Sequence, residues 1–354
     1  MSTTVYGVND PEAVKLWSRM TLSEALKSTY FGRFIGENSD ALCQIKDDTS
    51  KSSGDRVRTI LRMQLNGDGV AGDGTQEGLE ESLVTYTDDL LINQLRHATR
   101  VGGRATEQRV PFEIREESRL ALQDWWSNRL DTWFFNQIGG NSGQTDTKYT
   151  GMNTATAPDS THRIFANGHT TEVSLTATAS AQFTLSLIDQ AKLLAVTLSP
   201  MIRPIKGKYV MFLTPEQHFD LRRNTNTLEW GDIQKAAMQG GKVADNPIFT
   251  GALGEYNGIV LHEAFRLPVI TSTGSSKIGR AVLCGAQAAC MAFGRGYSKN
   301  RMEWVEELFD YKNQFGVAAG VIAGLKKNIY NSKDFATITV SAAHSASAVA
   351  ASGR

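Results

Sequence analysis

One stretch of the chain matches a nucleotide-binding pattern. Gly67-Asp68-Gly69-Val70-Ala71-Gly72 fits GxGxxG and follows a segment with strand periodicity. A loop of that kind cradles a pyrophosphate on backbone N–H groups at the start of an apolar helix. Here Gly72 is followed by Asp73-Gly74-Thr75-Gln76-Glu77-Gly78, which opens no such helix, and Asp68 and Asp73 would set negative charge against the phosphates. The same acids, with Asn66, offer oxygens to calcium but lack the ligand spacing and closing bidentate Glu of an EF-hand. The stretch reads as a solvated hairpin tip.

Other reactive residue types form no constellation. Six histidines (97, 162, 169, 218, 262 and 344) show neither HxxxH nor HExxH spacing, and none stands beside a cysteine in a zinc-like pattern. His162 and His169 share one loop and read as two mobile surface groups. Gly207-Lys208 and Gly241-Lys242 lack the Walker spacing and its following Ser or Thr, and no GxSxG elbow occurs. The pairs Glu116-Glu117 and Glu306-Glu307 are sequence neighbours, which point apart on a helix or strand and cannot face one substrate bond. No catalytic group, cofactor or metal site is expected. Arg56, Arg58 and Arg62 make a one-sided basic stripe, with Arg96, Arg100, Arg104 and Arg109 beyond. No aromatic residues interleave with it and acids adjoin it, so pairing with an acidic surface of a neighbouring subunit is preferred over nucleic-acid contact.

The elements that must carry these residues can be read from periodicity. Asp10-Pro11-Glu12 and Thr21-Leu22-Ser23-Glu24 are helix starts, so the first 50 residues read as a helical arm. From 55 the period changes to two, and extended segments at 57–65 and 83–101 flank the glycine-rich tip as a hairpin too poor in apolar residues to fold alone. The strongest helix follows, with apolar residues at helical spacing from Ile114 to Ile138 and Gly139-Gly140 at its end. Residues 113–138 would make a rod roughly 39 Å long at about 1.5 Å per residue. Trp125, Trp126, Trp133 and Phe134 on it read as core rather than as a ligand platform, with more aromatic surface than one chain needs. Residues 141–180 read as loop with short strands, 183–198 as a helix, 208–214 as a buried strand, and Pro215 as the start of a helix to Arg223. Next come an α/β region, with 256–262 around an Asn257-Gly258 turn and then 281–293, and a long extended stretch at 304–330 with Gly316, Gly320 and Gly324 four apart. A last strand at 335–340 and a mobile Ala/Ser-rich tail at 341–354 complete the chain.

The totals fit a large soluble protein. The chain has 354 residues, with 37 basic and 37 acidic side chains, so net charge gives no sign of a dedicated nucleic-acid binder. A near-neutral surface also removes one brake on self-association. Cys43, Cys284 and Cys290 form no CxxC pair, which suits a reducing compartment, and neither a signal peptide nor a membrane-spanning run is indicated.

The stretch 54–140 resembles the major capsid proteins of tailed bacteriophages, specifically the phage N-4-like podovirus family. It does so through LRMQLNGDGVAGDGTQEG, INQLRHATRV and EQRVPFEIREESRLALQDWWSNRLDTWFFNQIGGN. Later segments agree in order: YVMFLTPEQHFDLRRN, NPIFTGALGEYNGIVLHE, VLCGAQAACMAFGRG and FDYKNQFGVAAGVIAGLKKNIYNSKDFATITV. The resemblance implies an α+β, HK-97-type capsid fold. Residues 1–50 would be the N-arm and 51–108 the E-loop hairpin that reaches over an adjacent subunit. Residues 109–180 would be the P-domain with its spine helix at 112–138, 181–294 the A-domain, 295–331 the return strands of the P-domain, and 332–354 the last A-domain strand and tail. Inter-subunit contacts of the hairpin would fall to Arg56, Arg58, Arg62, Asp68, Asp73 and Arg96; the spine-helix core to Trp125, Trp126, Trp133 and Phe134; the capsomer-axis loop to Arg222, Arg223 and Trp230.

The implied work is self-assembly into hexamers and pentamers of an icosahedral head around double-stranded DNA, in the host bacterial cytoplasm. The implied partners are copies of itself, a cement or decoration protein, portal and scaffold proteins, and DNA held without sequence readout, with no membrane. Some shells of this fold are welded by an isopeptide bond from an E-loop lysine. No lysine occurs between Lys51 and Lys148, so a non-covalent shell is expected. An encapsulin-like compartment and a cytosolic α+β enzyme are the competing readings.

Overall fold

The structure is a computed structural model that describes residues 29–46, 54–111, 113–223, 254–272, 276–295, 297 and 302–352. Apolar residues three and four apart in the first long period become one 25-residue helix, Ile114–Ile138. It begins two residues later than the expected spine at 112, with Glu113 at its N-cap in extended conformation and Glu116 and Glu117 in its first turn, where negative charge suits the helix dipole. Its buried face presents Leu122, Trp126, Leu130, Trp133, Phe134 and Ile138, and that face lies on a six-stranded sheet.

The sheet is organised by its longest strand, Gln314–Lys327. It pairs antiparallel with Asn93–Arg100, Glu303–Phe309 and Ala289–Phe293; the last pairs in parallel with Cys43–Lys46, beside Ile35–Gly36. Alternation gives the strand two faces. Val317, Ala319, Val321, Ala323 and Leu325 are buried in the core that includes Trp126. The opposite face carries Gly316, Ala318, Gly320, Ile322, Gly324 and Lys326. A second, seven-stranded sheet has Lys277–Cys284 and Tyr209–Leu213 at its centre, flanked by Thr337–Ala343 with Arg163–Phe165 on one side and Ile259–Glu263 with Gly254–Tyr256 on the other; Val269–Thr271 joins Lys277–Cys284. The helices Leu185–Thr197 and Pro215–Arg223 pack beside it. Every residue of Tyr209–Leu213 is buried, as its unbroken apolar run requires.

Arg280 joins the helix end to the second sheet. Its Nη1 donates to the carbonyls of Gly139 and Gly140 at 2.9 and 2.7 Å, and its other nitrogens donate to Glu172 at 2.6 Å. The last carbonyls of a helix need such donors, and a cation there suits the dipole.

Several expectations are corrected. The described part of the expected helical arm contains a 3-10 turn, Phe31–Phe34, and then strands; Cys43–Lys46 is a buried sheet strand rather than arm. The helix starts at 10–12 and 21–24 lie outside the described residues. Ala289–Phe293, grouped by sequence with 181–294, pairs in the first sheet, while Arg163–Phe165, grouped with 109–180, pairs in the second; strand pairing, which a linear division cannot see, decides membership. The expected α/β region at 256–262 and 281–293 holds strands alone, and those of 281–293 fall in different sheets. The tail is not loose through 352: Thr337–Ala343 is a central strand, and Ala346–Ser352 is a helix whose start is fixed by Ser345 N–H donating to Asp220 at 2.9 Å. His162 is buried, its Nδ1 3.1 Å from Asp159, and is no mobile surface group.

Candidate functional site

The hairpin is built on one antiparallel pair. Arg56–Arg62 and Thr85–Leu91 run antiparallel, from Arg56 opposite Leu91 to Arg62 opposite Thr85, in a sheet of these two strands alone. A two-stranded ribbon is marginal in water unless something packs against it. Its base has that support. Val57, Leu90 and Ile92 bury themselves against Cys290, Ala292 and Ile322, on the face of the first sheet away from the long helix. Lys326 donates to Asp88 and also to the Asp89 carbonyl at 3.1 Å, while Asp88 accepts the Ile329 N–H at 3.1 Å. Tyr330 donates to Thr59 Oγ1 at 3.0 Å, and burial pushes the Tyr330 phenol above its usual range.

Asn153 closes the root. It accepts the Leu91 N–H at 2.9 Å and donates to the carbonyls of Leu91 and Leu325 at 3.0 and 3.2 Å. Gly324 makes the crossing possible: a Cβ there would stand 2.0 Å from the Leu91 carbonyl oxygen. Gly320 and Gly316 likewise leave room for Arg96 and the Phe309 ring to lie flat on the sheet. The spacing of these three glycines is therefore a track for the hairpin root and two long side chains.

Beyond the root one face of the hairpin stays half-buried, with Leu61, Met63 and Tyr86 lining a cleft beside Pro200, Tyr330 and Phe335, while other apolar side chains are left bare among the described residues. Ile60, Leu65, Leu79 and Leu83 are exposed, Ile60 to 68% and Leu79 to 67%. At the tip the Glu81 carboxylate accepts the N–H groups of Asn66 and Gly67 at 2.7 to 3.0 Å, and these bonds hold its pKa below the usual carboxylate range. No lysine or arginine occurs between Arg62 and Arg96, whereas Asp68, Asp73, Glu77, Glu80 and Glu81 all lie in that span. The tip is an acidic point on a shaft that carries exposed Ile60 beside exposed Arg56, Arg58 and Arg62.

The sequence-expected residues are only partly brought together. Asp68 and Asp73 are exposed at the tip, and Arg56 and Arg62 are exposed on the shaft. Arg58 is engaged within its own chain, its fork meeting Asp89 at 2.7 and 2.9 Å, which lowers the Asp89 pKa. Arg96 belongs to the body of the first sheet and not to the hairpin. Of the expected hairpin segment 83–101, Asn93–Arg100 therefore lies in the first sheet, laddered with Gly316 to Ala323 of its own chain. Trp126, Trp133 and Phe134 are buried core, so the expected surplus of aromatic surface is covered at home; Trp125 alone of the four stays half-exposed, stacked on His97 at 4.3 Å. Arg222 and Arg223 are exposed at the end of Pro215–Arg223, and Trp230 lies outside the described residues. Sequence reading missed Asn153, Asp88, Lys326 and Tyr330; its one signal for the root was the glycine spacing, whose use appears only when the crossing strand is in place. Among the described residues no group of three or more His, Cys, Asp or Glu could hold a metal ion, and no helix is long and apolar enough to cross a membrane.

The family model described as phage capsid protein matches residues 5–346. The chain belongs to the phage capsid protein family. The major capsid protein of Pseudomonas phage KPP25 is 27% identical over 372 residues, spanning 93% of this chain and 94% of that protein. The capsid of Ralstonia phage GP4 is 32% identical, with a TM-score of 0.78 over 97% of this chain and 98% of its own. The Cyanophage Pam1 capsid shares the fold at 19% identity, TM-score 0.74, over 98% and 95% of the two chains. The fold of this phage capsid protein is HK-97-type and α+β, as expected, and its family is structural rather than enzymatic.

Proposed function

We propose that this phage capsid protein is the repeating subunit of a tailed-phage head of the N-4-like group, closing as hexamers and pentamers around double-stranded DNA. The single observation that carries this reading is the hairpin: its root is built into the subunit, while its shaft exposes Ile60, Leu65, Leu79 and Leu83 to solvent. Exposed apolar side chains on an unpaired ribbon are costly in an isolated protein and are covered when a neighbour lies alongside. In a ring each copy lends its hairpin to the next, so one heterologous contact repeated by rotation satisfies every subunit.

In this reading the hairpin is the E-loop, the first sheet and long helix are the P-domain, and the second sheet is the A-domain, with Arg222 and Arg223 toward the capsomer axis. Arg56, Arg62, Asp68 and Asp73, all exposed, would meet a neighbour, whereas Arg58 acts by stiffening the shaft through Asp89. Cement, portal and scaffold proteins complete the assembly in the host cytoplasm. Electron microscopy of the purified product tests the proposal: closed icosahedral shells that protect DNA from nuclease are expected. A monodisperse monomer at assembly concentration, or shells filled with protein instead, would count against it.

A further inference from the structure

Among the described residues, the long helix keeps one part of its outer side open. A cleft of about 310 Å³ lies there, lined by Trp125, Asn128, Arg129, Thr132, Lys148 and Tyr149. Two of these are cations and none is a carboxylate. Arg129 stands over the Trp125 ring at 4.7 Å, and the indole also stacks on His97 with 13° between planes. The Lys148 carbonyl accepts both Arg129 Nη1 at 2.6 Å and Trp133 Nε1 at 3.2 Å, which fixes the rim. The Lys148 ammonium sits 5.3 Å from the exposed Tyr149 ring. Arg266 brings a third cation to the edge, donating to Thr132 Oγ1 at 3.1 Å and to Asn128. Asp124 is a sequence neighbour of Trp125, and Asp146, the other acid nearby, already accepts the Lys148 N–H at 2.8 Å.

Sidedness decides what such a cleft can meet. The hairpin leaves from the face of the first sheet that carries Ile322, Gly324 and Lys326, whereas the long helix covers the face that carries Val317, Ala319 and Val321. In a shell one subunit thick, an arm that lies over a neighbour stays on its own side of the wall. The acidic tip therefore cannot reach the cleft, which opens on the other side.

We propose that this cleft faces the interior and holds the phosphate backbone of packaged duplex DNA. Cations supply the charge that phosphate attracts, and the Asn128 amide nitrogen and Tyr149 phenol supply donors, a set that positions a backbone without reading bases. The inference rests on the DNA-enclosing reading above and adds the place of contact.

Ultraviolet cross-linking of purified DNA-filled heads, followed by nuclease digestion and peptide mass spectrometry, tests it. Nucleotide adducts are expected on the peptides bearing Trp125 or Tyr149 in filled heads and not in emptied shells. Heads assembled from Lys148→Glu subunits should form at normal yield and release DNA several-fold more readily on heating. Three results would overturn the inference alone: adducts only elsewhere in filled heads, a decoration protein bound at the cleft, or Lys148 modified by a lysine reagent too large to enter intact heads. Particles that hold no nucleic acid would instead remove the enclosing function, and this site with it.

Discussion

His262 gives the fold a pH dependence that can be assigned to one side chain. It is caged by Tyr30, Phe34 and Phe212, with ring centroids 5.2 to 6.3 Å away, and burial followed by the nearby Arg33 charge lowers its pKa from 6.5 to about 4. Between those values the unfolded chain takes up a proton that the folded chain refuses. Its contribution is complete above about 6.5 and is lost as pH falls toward about 4, a swing of at most about 3 kcal/mol. Denaturant titrations of the dissociated subunit should show a shallower slope across that window in His262→Phe; parallel curves would exclude the assignment. Arg280 is the other decisive residue. Arg280→Ala would strand the largely buried Glu172 and uncap the long helix, costing about 3–5 kcal/mol in the same titration.

At the scale of elements, the hairpin root depends on backbone contact, and the glycine track ranks its own substitutions. A methyl at Gly324 would meet the Leu91 carbonyl, which is fixed by Asn153, whereas one at Gly320 would meet Arg96 Cγ, which can turn aside. Gly324→Ala should therefore cost about 1–3 kcal/mol or more, and Gly320→Ala clearly less. Hydrogen exchange at the Leu91 amide reports the effect directly, and faster exchange in Gly324→Ala alone is the expected pattern. Equal effects of the two substitutions would mean that the crossing is held elsewhere. Asn153→Ala should loosen the same amide by removing its acceptor.

For the whole molecule, root and tip have separate duties. Replacing 66–81 by a short turn removes no buried residue, so the subunit's thermal midpoint should stay within a few degrees while shell formation, read by sedimentation, is abolished. Shells from a tip-deleted chain at normal yield would leave the hairpin without its role. Denaturing gels of intact wild-type shells should show a single monomer band, since residues 52–147 contain no lysine to form a cross-link; a ladder of linked subunits would overturn the non-covalent assignment.

Local and periodic features were legible from sequence because neighbouring residues determine them. The helix through Ile138, the turn at Asn257-Gly258, the Pro215 helix start, and a hairpin closed by glycines and acids all follow from spacing and backbone preference. The order of segments also carried the family. What only the tertiary structure decided is which strands share a sheet, because pairing Cys43–Lys46 with Ala289–Phe293, or Asn93–Arg100 with Gln314–Lys327, joins segments more than two hundred residues apart. The same holds for Asn153 reaching Leu91 and Arg280 reaching Gly139. A single polar side chain has no period, so its partner becomes visible only when folding brings the two together.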